Sequence, residues 1–247
     1  MVTRFRQFFY EEVLLEKKNP EAKEQGHLAT FKKEIERVKK ETGKDHVVVH
    51  HNGEEYHITG AEKTEGNPKS DFTLVGKDGR HIYLSHKDYK GSGDLARSYQ
   101  QLGGVSKFKD HPSVQKFADA VNKEHGGTAV GKGTIARKLN MKTKQDRTLV
   151  NKAIFGHEHE EGGERGPNAV HSIVHGTMRL VPSPRRRGVF HIHAEHITHH
   201  TDEPEGDYMI YGRTAQSGSS KRNDLGLKHT RVLISSQQSR TVSHWVK

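Results

Sequence analysis

Cysteine is absent from the 247 residues, which excludes disulfide bridges and thiolate metal sites at once. Long apolar runs are missing too. Nothing approaches the roughly 18 consecutive apolar residues of a membrane-spanning helix, and the N-terminal FRQFFYEEVLLE is amphipathic rather than a secretory leader. No membrane partner and no export by a signal peptide are therefore expected. Hydrophobic residues make up only 30% of the chain and the mean hydropathy is −0.92. Either the core is small, or parts of the chain gain order only against partners. Acidic charge is the other shortfall: 31 Asp and Glu face 41 Lys and Arg, leaving a formal charge of +10 before any of the 20 histidines is protonated. A polyanion is the natural partner of such a chain.

The basic residues are densest in Lys132–Arg147, which includes Lys132, Arg137 and Lys138, and in the triplet Arg185, Arg186 and Arg187. Few aromatics flank them. That composition suits contact with backbone phosphate better than stacking on bases, and no helix-turn-helix or zinc finger supplies a base-reading element. A nucleic acid is the expected ligand; a generally solvated surface is the plainer account of each cluster.

Periodicity and turn residues give the organisation. Phe5–Lys17 reads as a helix ended by Asn19–Pro20, and Ala22–Thr42 as a longer one with Leu28, Phe31, Ile35 and Val38 on one face. His46–His51 and Glu55–Gly60 form a hairpin about Asn52–Gly53. A strand opening at Asp71 and a strand over Arg80–Lys87 then flank the Gly76–Lys77–Asp78–Gly79 turn. Helices are expected at Asp94–Leu102, stopped by Gly103–Gly104, at His111–His125 and at Thr134–Ala153. Beyond a His157–Gly166 loop, strands are expected at Val170–Leu180, Gly188–His196, Asp207–Arg213 and Thr230–Ser235. The expected fold class is α/β (α+β), a mixed sheet flanked by helices. Its expected segments are a core over residues 1–125, a basic Gly/His-rich linker or insertion over 126–168 and a β-rich region over 169–247.

Alternation along Arg80–Lys87 sends Ile82, Leu84 and His86 to one side and Tyr83, Ser85 and Lys87 to the other. Lys87 can then stand beside Asp71 while Ile82 and Leu84 enter the core. This Asp, turn and Ser-x-Lys pattern resembles the PD-(D/E)XK nuclease superfamily. More narrowly, Gly66–Phe72 (GNPKSDF), Ile82–Lys87 (IYLSHK) and Gln100–Gly104 (QQLGG) resemble segments of a group of uncharacterised bacteriophage proteins. The order of helix, hairpin, Asp71 strand, Lys87 strand and helix is also the core order of that nuclease fold.

The resemblance implies an active site in which Asp71 holds Mg²⁺ or Mn²⁺, Lys87 orients water or offsets charge, and Gln100 or Gln101 supports the centre. Ser85 occupies the position where the superfamily has an acid. Glu34, Glu62 and Glu65 are the alternatives for a second carboxylate. His191, His193 and Glu195 make a separate imidazole and carboxylate set on one strand, workable for zinc or iron, or for a His-rich face against phosphate or protein. Two functions compete: a phage-type, metal-dependent DNA endonuclease, and a non-catalytic virion or DNA-packaging protein on a nuclease-like fold, with other virion proteins as partners.

Overall fold

The computed structural model describes residues 20–66, 68–88, 100–101, 107–215, 222–239 and 241–247. It is a mixed α+β protein that divides into two compact units, one of Met1–Asp88 with Arg165–His199 and one of Tyr89–Glu164 with His200–Lys247. The helix expected at Phe5–Lys17 lies outside the described residues, as does most of Asp94–Leu102.

The first unit begins with helix α1 (Pro20–Thr42), whose Leu28, Phe31, Ile35 and Val38 are buried at the expected spacing. They pack with Val47, Val49, Ile58, Phe72, Leu74, Ile82 and Leu84 of the sheet. Phe31 is fully buried. Truncation to Ala removes a whole ring from a close-packed site, so Phe31→Ala should cost about 3–5 kcal/mol in urea unfolding; a loss under about 1 kcal/mol would show that the helix is not part of this core.

Strands β1 (Val47–His51) and β2 (Glu54–Lys63) form the expected hairpin. Asn52 and Gly53 at its tip have φ of 50° and 87°, the paired positive values of the tight turn that follows sheet twist. β2 pairs with β3 (Phe72–Gly76), and β3 with β4 (Ile82–Lys87), both antiparallel.

Two of the four strands expected to form a separate C-terminal region, Val170–Leu180 and Gly188–His196, instead complete this sheet. Gly176, at φ 83°, breaks the expected Val170–Leu180 strand into β7 (Ser172–His175) and β8 (Arg179–Pro182). β9 (Val189–His193) and β10 (His196–His199) follow. β7 runs parallel to β4 and β9 parallel to β1, giving an eight-stranded order β10-β7-β4-β3-β2-β1-β9-β8. The sheet curls: the buried Ser172 Oγ lies 2.9 Å from His51 Nε2 and 2.9 Å from His199 Nδ1, joining β1 to the distant β7.

The second unit holds the strands β5 (Gln100–Gln101), β6 (Ile135–Lys138), β11 (Tyr208–Thr214), β12 (Thr230–Ser236) and β13 (His244–Trp245), ordered β13-β6-β11-β12-β5. Helix α2 (Pro112–His125) buries Val114, Phe117 and Val121 as its periodicity predicts, capped by His111 Nδ1 and ended by Gly126 at φ 64°. Two expectations change here. Gln100 and Gln101 belong to a strand paired with Ile234 and Leu233, not to a helix end. The helix expected over Thr134–Ala153 is strand β6, a turn, and helix α3 (Lys144–Phe155). Ile135 and Ala136 are taken up by pairing with Gly212 and Tyr211, and Thr143 Oγ1 accepts from Asp146 N at 3.2 Å to start the helix late. Residues 126–164 contribute β6 and α3 to the second unit, and residues 165–168 belong to the first. No helix among the described residues is long and apolar enough to cross a membrane.

Candidate active site

The first unit carries the site. Asp71 sits one residue before β3, its backbone fixed on both sides: its N–H donates to Leu84 O at 2.8 Å and its carbonyl accepts from Thr64 N at 3.0 Å. The turn leading into it is held by Ser70, whose N–H donates to Pro167 O at 2.8 Å and whose Oγ donates to Phe72 O at 2.8 Å. On β4, Ile82, Leu84, Ser85 and His86 are buried and Lys87 is exposed. The strand alternation thus delivers Ser85 and Lys87 to Asp71, while Ile82 and Leu84 join the core.

Three donors meet one oxygen. Asp71 Oδ2 accepts from Ser85 Oγ at 3.0 Å, from His86 N at 2.6 Å and from Lys87 Nζ at 2.9 Å. Asp71 Oδ1 accepts none from the described residues. The carboxylate is therefore fixed in orientation by one oxygen and open at the other. Lys87 Nζ also donates to His86 O at 2.7 Å, and the Lys87 and Asp71 side chains are 44% and 23% exposed. A pair so exposed contributes at most about 1 kcal/mol to stability. Its fixed geometry is more telling than its strength.

Ser85 has a defined task here. As a neutral hydroxyl it donates to Asp71, where an acid at that position would repel it. His86 faces the other way, its Nε2 2.8 Å from Gly176 O and its ring 5.1 Å from that of Phe72. Burial is the first cause holding its imidazole below the usual range, with His27 and Lys87 adding to the effect against Gly176 O and Asp71.

Lys69 was not legible as a site residue from the GNPKSDF segment. Its ammonium is pushed down to about 7, first by burial and then by Lys87, with Asp71 opposing. Lys69 thus lies near enough to both Lys87 and Asp71 for their charges to act on it, and its amine gives up its proton more readily than an ordinary lysine.

The expected second carboxylates fare differently. Glu34 is held in a fork by Arg37, whose Nη2 donates to Oε1 at 2.8 Å and whose Nε donates to Oε2 at 3.0 Å. The Arg37 bonds come first in holding its carboxyl below the usual range, and Leu180 of β8 adds a backbone bond. Glu34 is thus engaged elsewhere and unsuited to share an ion with Asp71. Glu62 and Glu65 are exposed, and no hydrogen bond ties either to Asp71. Glu195 does come to the strand end: a β-carbon at Gly176 would overlap its carboxylate, and Gly176 N donates to Lys87 O at 2.8 Å. Sequence reading placed Glu195 in a histidine set instead. Among the described residues no group of three or more His, Asp or Glu gathers into a ready-made metal site, the His191, His193 and Glu195 set included.

The remaining expected residues are dispersed. Gln100 and Gln101 lie on β5 of the second unit, while Asp71, Ser85 and Lys87 belong to the first. Arg185, Arg186 and Arg187 are exposed between β8 and β9, with Arg186 Nη1 2.8 Å from Glu55 Oε1. Lys132 and Lys138 are exposed on the second unit, Lys138 Nζ lying 5.4 Å from the Trp245 ring centre. Arg137 has a buried Nε with no hydrogen-bond partner among the described residues.

The chain matches no protein-family model, no curated protein sequence and no solved structure.

Proposed function

We propose that the first unit is a nuclease-like domain and the chain a phage-type, metal-dependent DNA endonuclease. The observation that carries this reading is the Asp71 carboxylate, pinned through Oδ2 by Ser85, His86 and Lys87 and open at Oδ1. An acid held this way, at the end of a strand beside a lysine, is suited to a cation and a phosphate rather than to folding stability.

The donor chemistry fits a hard divalent cation. Mg²⁺ is commonly held by one or two carboxylates, with water and substrate phosphate filling the other positions; Asp71 Oδ1 is one such source, and Glu195, beside Gly176 at the end of β4, is a candidate for a second. Mg²⁺ or Mn²⁺ held there would polarise the scissile phosphoryl group and acidify the attacking water. The protein's own groups divide the remaining work. Lys69, partly neutral near pH 7, accepts the proton of the attacking water, and the Lys87 ammonium offsets charge developing on the phosphate oxygens. The excess of basic residues holds the DNA backbone.

Ser85 favours a second reading. A neutral residue at the acid position also suits a virion or DNA-packaging protein that keeps the fold without the chemistry. Plasmid cleavage in Mg²⁺ or Mn²⁺ by wild type and Lys87→Ala separates the two: cation-dependent nicking lost in the variant supports the enzyme, and no nicking by either supports the structural role.

A further inference from the structure

On the second unit, Arg213 and Arg231 stand directly opposite each other in the antiparallel β11 and β12 ladder. Side chains so paired leave the same face of the sheet within about 5 Å of each other at their β-carbons, an arrangement that costs stability when the charges are alike. Both Nε atoms are buried and have no hydrogen-bond partner among the described residues, although each residue is partly exposed. Buried charged donors without acceptors are costly. A third guanidinium adds to the problem: Arg222 lies near enough to disfavour the charge of Arg231, as does Arg213, burial being the first cause. The acid at this spot is already committed. Asp224 accepts from Arg222 Nε at 2.8 Å through Oδ1 and from Val232 N at 2.8 Å through Oδ2.

A fold that maintains three neighbouring guanidiniums, two with unfilled donors, against one occupied carboxylate lacks an anion. We propose that Arg213, Arg222 and Arg231 form a binding site for the phosphodiester groups of a nucleic-acid strand. Guanidinium presents a planar fork of donors matched to phosphate oxygens, and an arriving phosphate satisfies the buried Nε groups while cancelling the repulsion across the ladder. A polyanionic strand suits the site because the whole chain carries a charge of +10. The inference rests on the nucleic-acid partner proposed above but not on hydrolysis. None of the three residues belongs to the dense basic clusters of the sequence; strand pairing brings Arg213 and Arg231 together, and the loop before β12, held through Asp224, adds Arg222.

The test uses the full chain and a labelled 20-mer DNA duplex, with affinity followed by anisotropy across a salt series. Arg213→Gln/Arg231→Gln should make the slope of log affinity against log salt shallower by about 1.8, the loss of two phosphate contacts. Its melting temperature should hold or rise by roughly 2 °C, because the like-charge pair is gone. Arg213→Lys/Arg231→Lys should restore most of the slope. An unchanged slope in the Gln variant, or a melting temperature that falls by several degrees, would overturn the site and make these arginines structural. All binding is read in EDTA on uncleaved duplex, so a failure of the nuclease reading leaves this test intact.

Discussion

Lys87→Ala is expected to lower the single-turnover rate of DNA cleavage by about 10²–10³-fold, and Asp71→Asn by at least as much. The two side chains share one hydrogen bond of 2.9 Å, so each orients the other for the proposed reaction. Groups that act as a unit lose their contribution together. The double variant should therefore be little slower than the slower single variant, and a fully multiplicative loss would show that the two act independently. Folding should be nearly unaffected, since the pair is partly exposed and Asp71→Asn keeps an oxygen able to accept from His86 N. A large fall in melting temperature would move the role of Asp71 from chemistry to structure.

The second large effect concerns Lys69. Its amine is held at about 7 in the folded chain, against about 10.4 for an unperturbed lysine. Between these values the unfolded chain binds more protons than the folded one, so stability rises with pH. The cost of burying the ammonium is complete below about pH 7, shrinks as pH rises, and is gone above the unfolded value. The full shift would correspond to about 4–5 kcal/mol, which solvent screening of a partly exposed side chain reduces to roughly 1–2 kcal/mol. Urea unfolding at pH 7 and pH 9.5 should show this gain in wild type and not in Lys69→Gln. An equal pH dependence in both would mean that Lys69 titrates as an ordinary surface lysine. Cleavage should rise through the same interval near pH 7 if the neutral amine takes the proton from water.

Much of the site's local geometry was legible in the sequence. The Gly76–Gly79 turn and strand alternation set Asp71 beside Lys87 and turned Ile82 and Leu84 inward, since both are short-range consequences of the pleat. The stripe of α1 and the Asn52–Gly53 hairpin were readable for the same reason. Lys69 and Glu195 were not. Lys69 owes its perturbed amine to enclosure, which no neighbouring residue in sequence announces, and Glu195 reaches the strand end because β7 pairs with β4 across more than eighty intervening residues. The composition of the two units was hidden likewise. Alternation identifies a strand but not its partner, so β7 to β10 looked like a separate region although they complete the first sheet. At Ile135–Lys138 the thin apolar pattern fitted a helix until pairing with β11 decided for a strand.

The most direct test of the proposed chemistry is conversion of supercoiled plasmid by the purified chain as Mg²⁺ or Mn²⁺ is titrated. The Asp71 and Lys87 arrangement predicts nicking that requires the cation, is abolished by EDTA and disappears in Lys87→Ala. No nicking with either ion, or nicking that persists in Lys87→Ala, would contradict it.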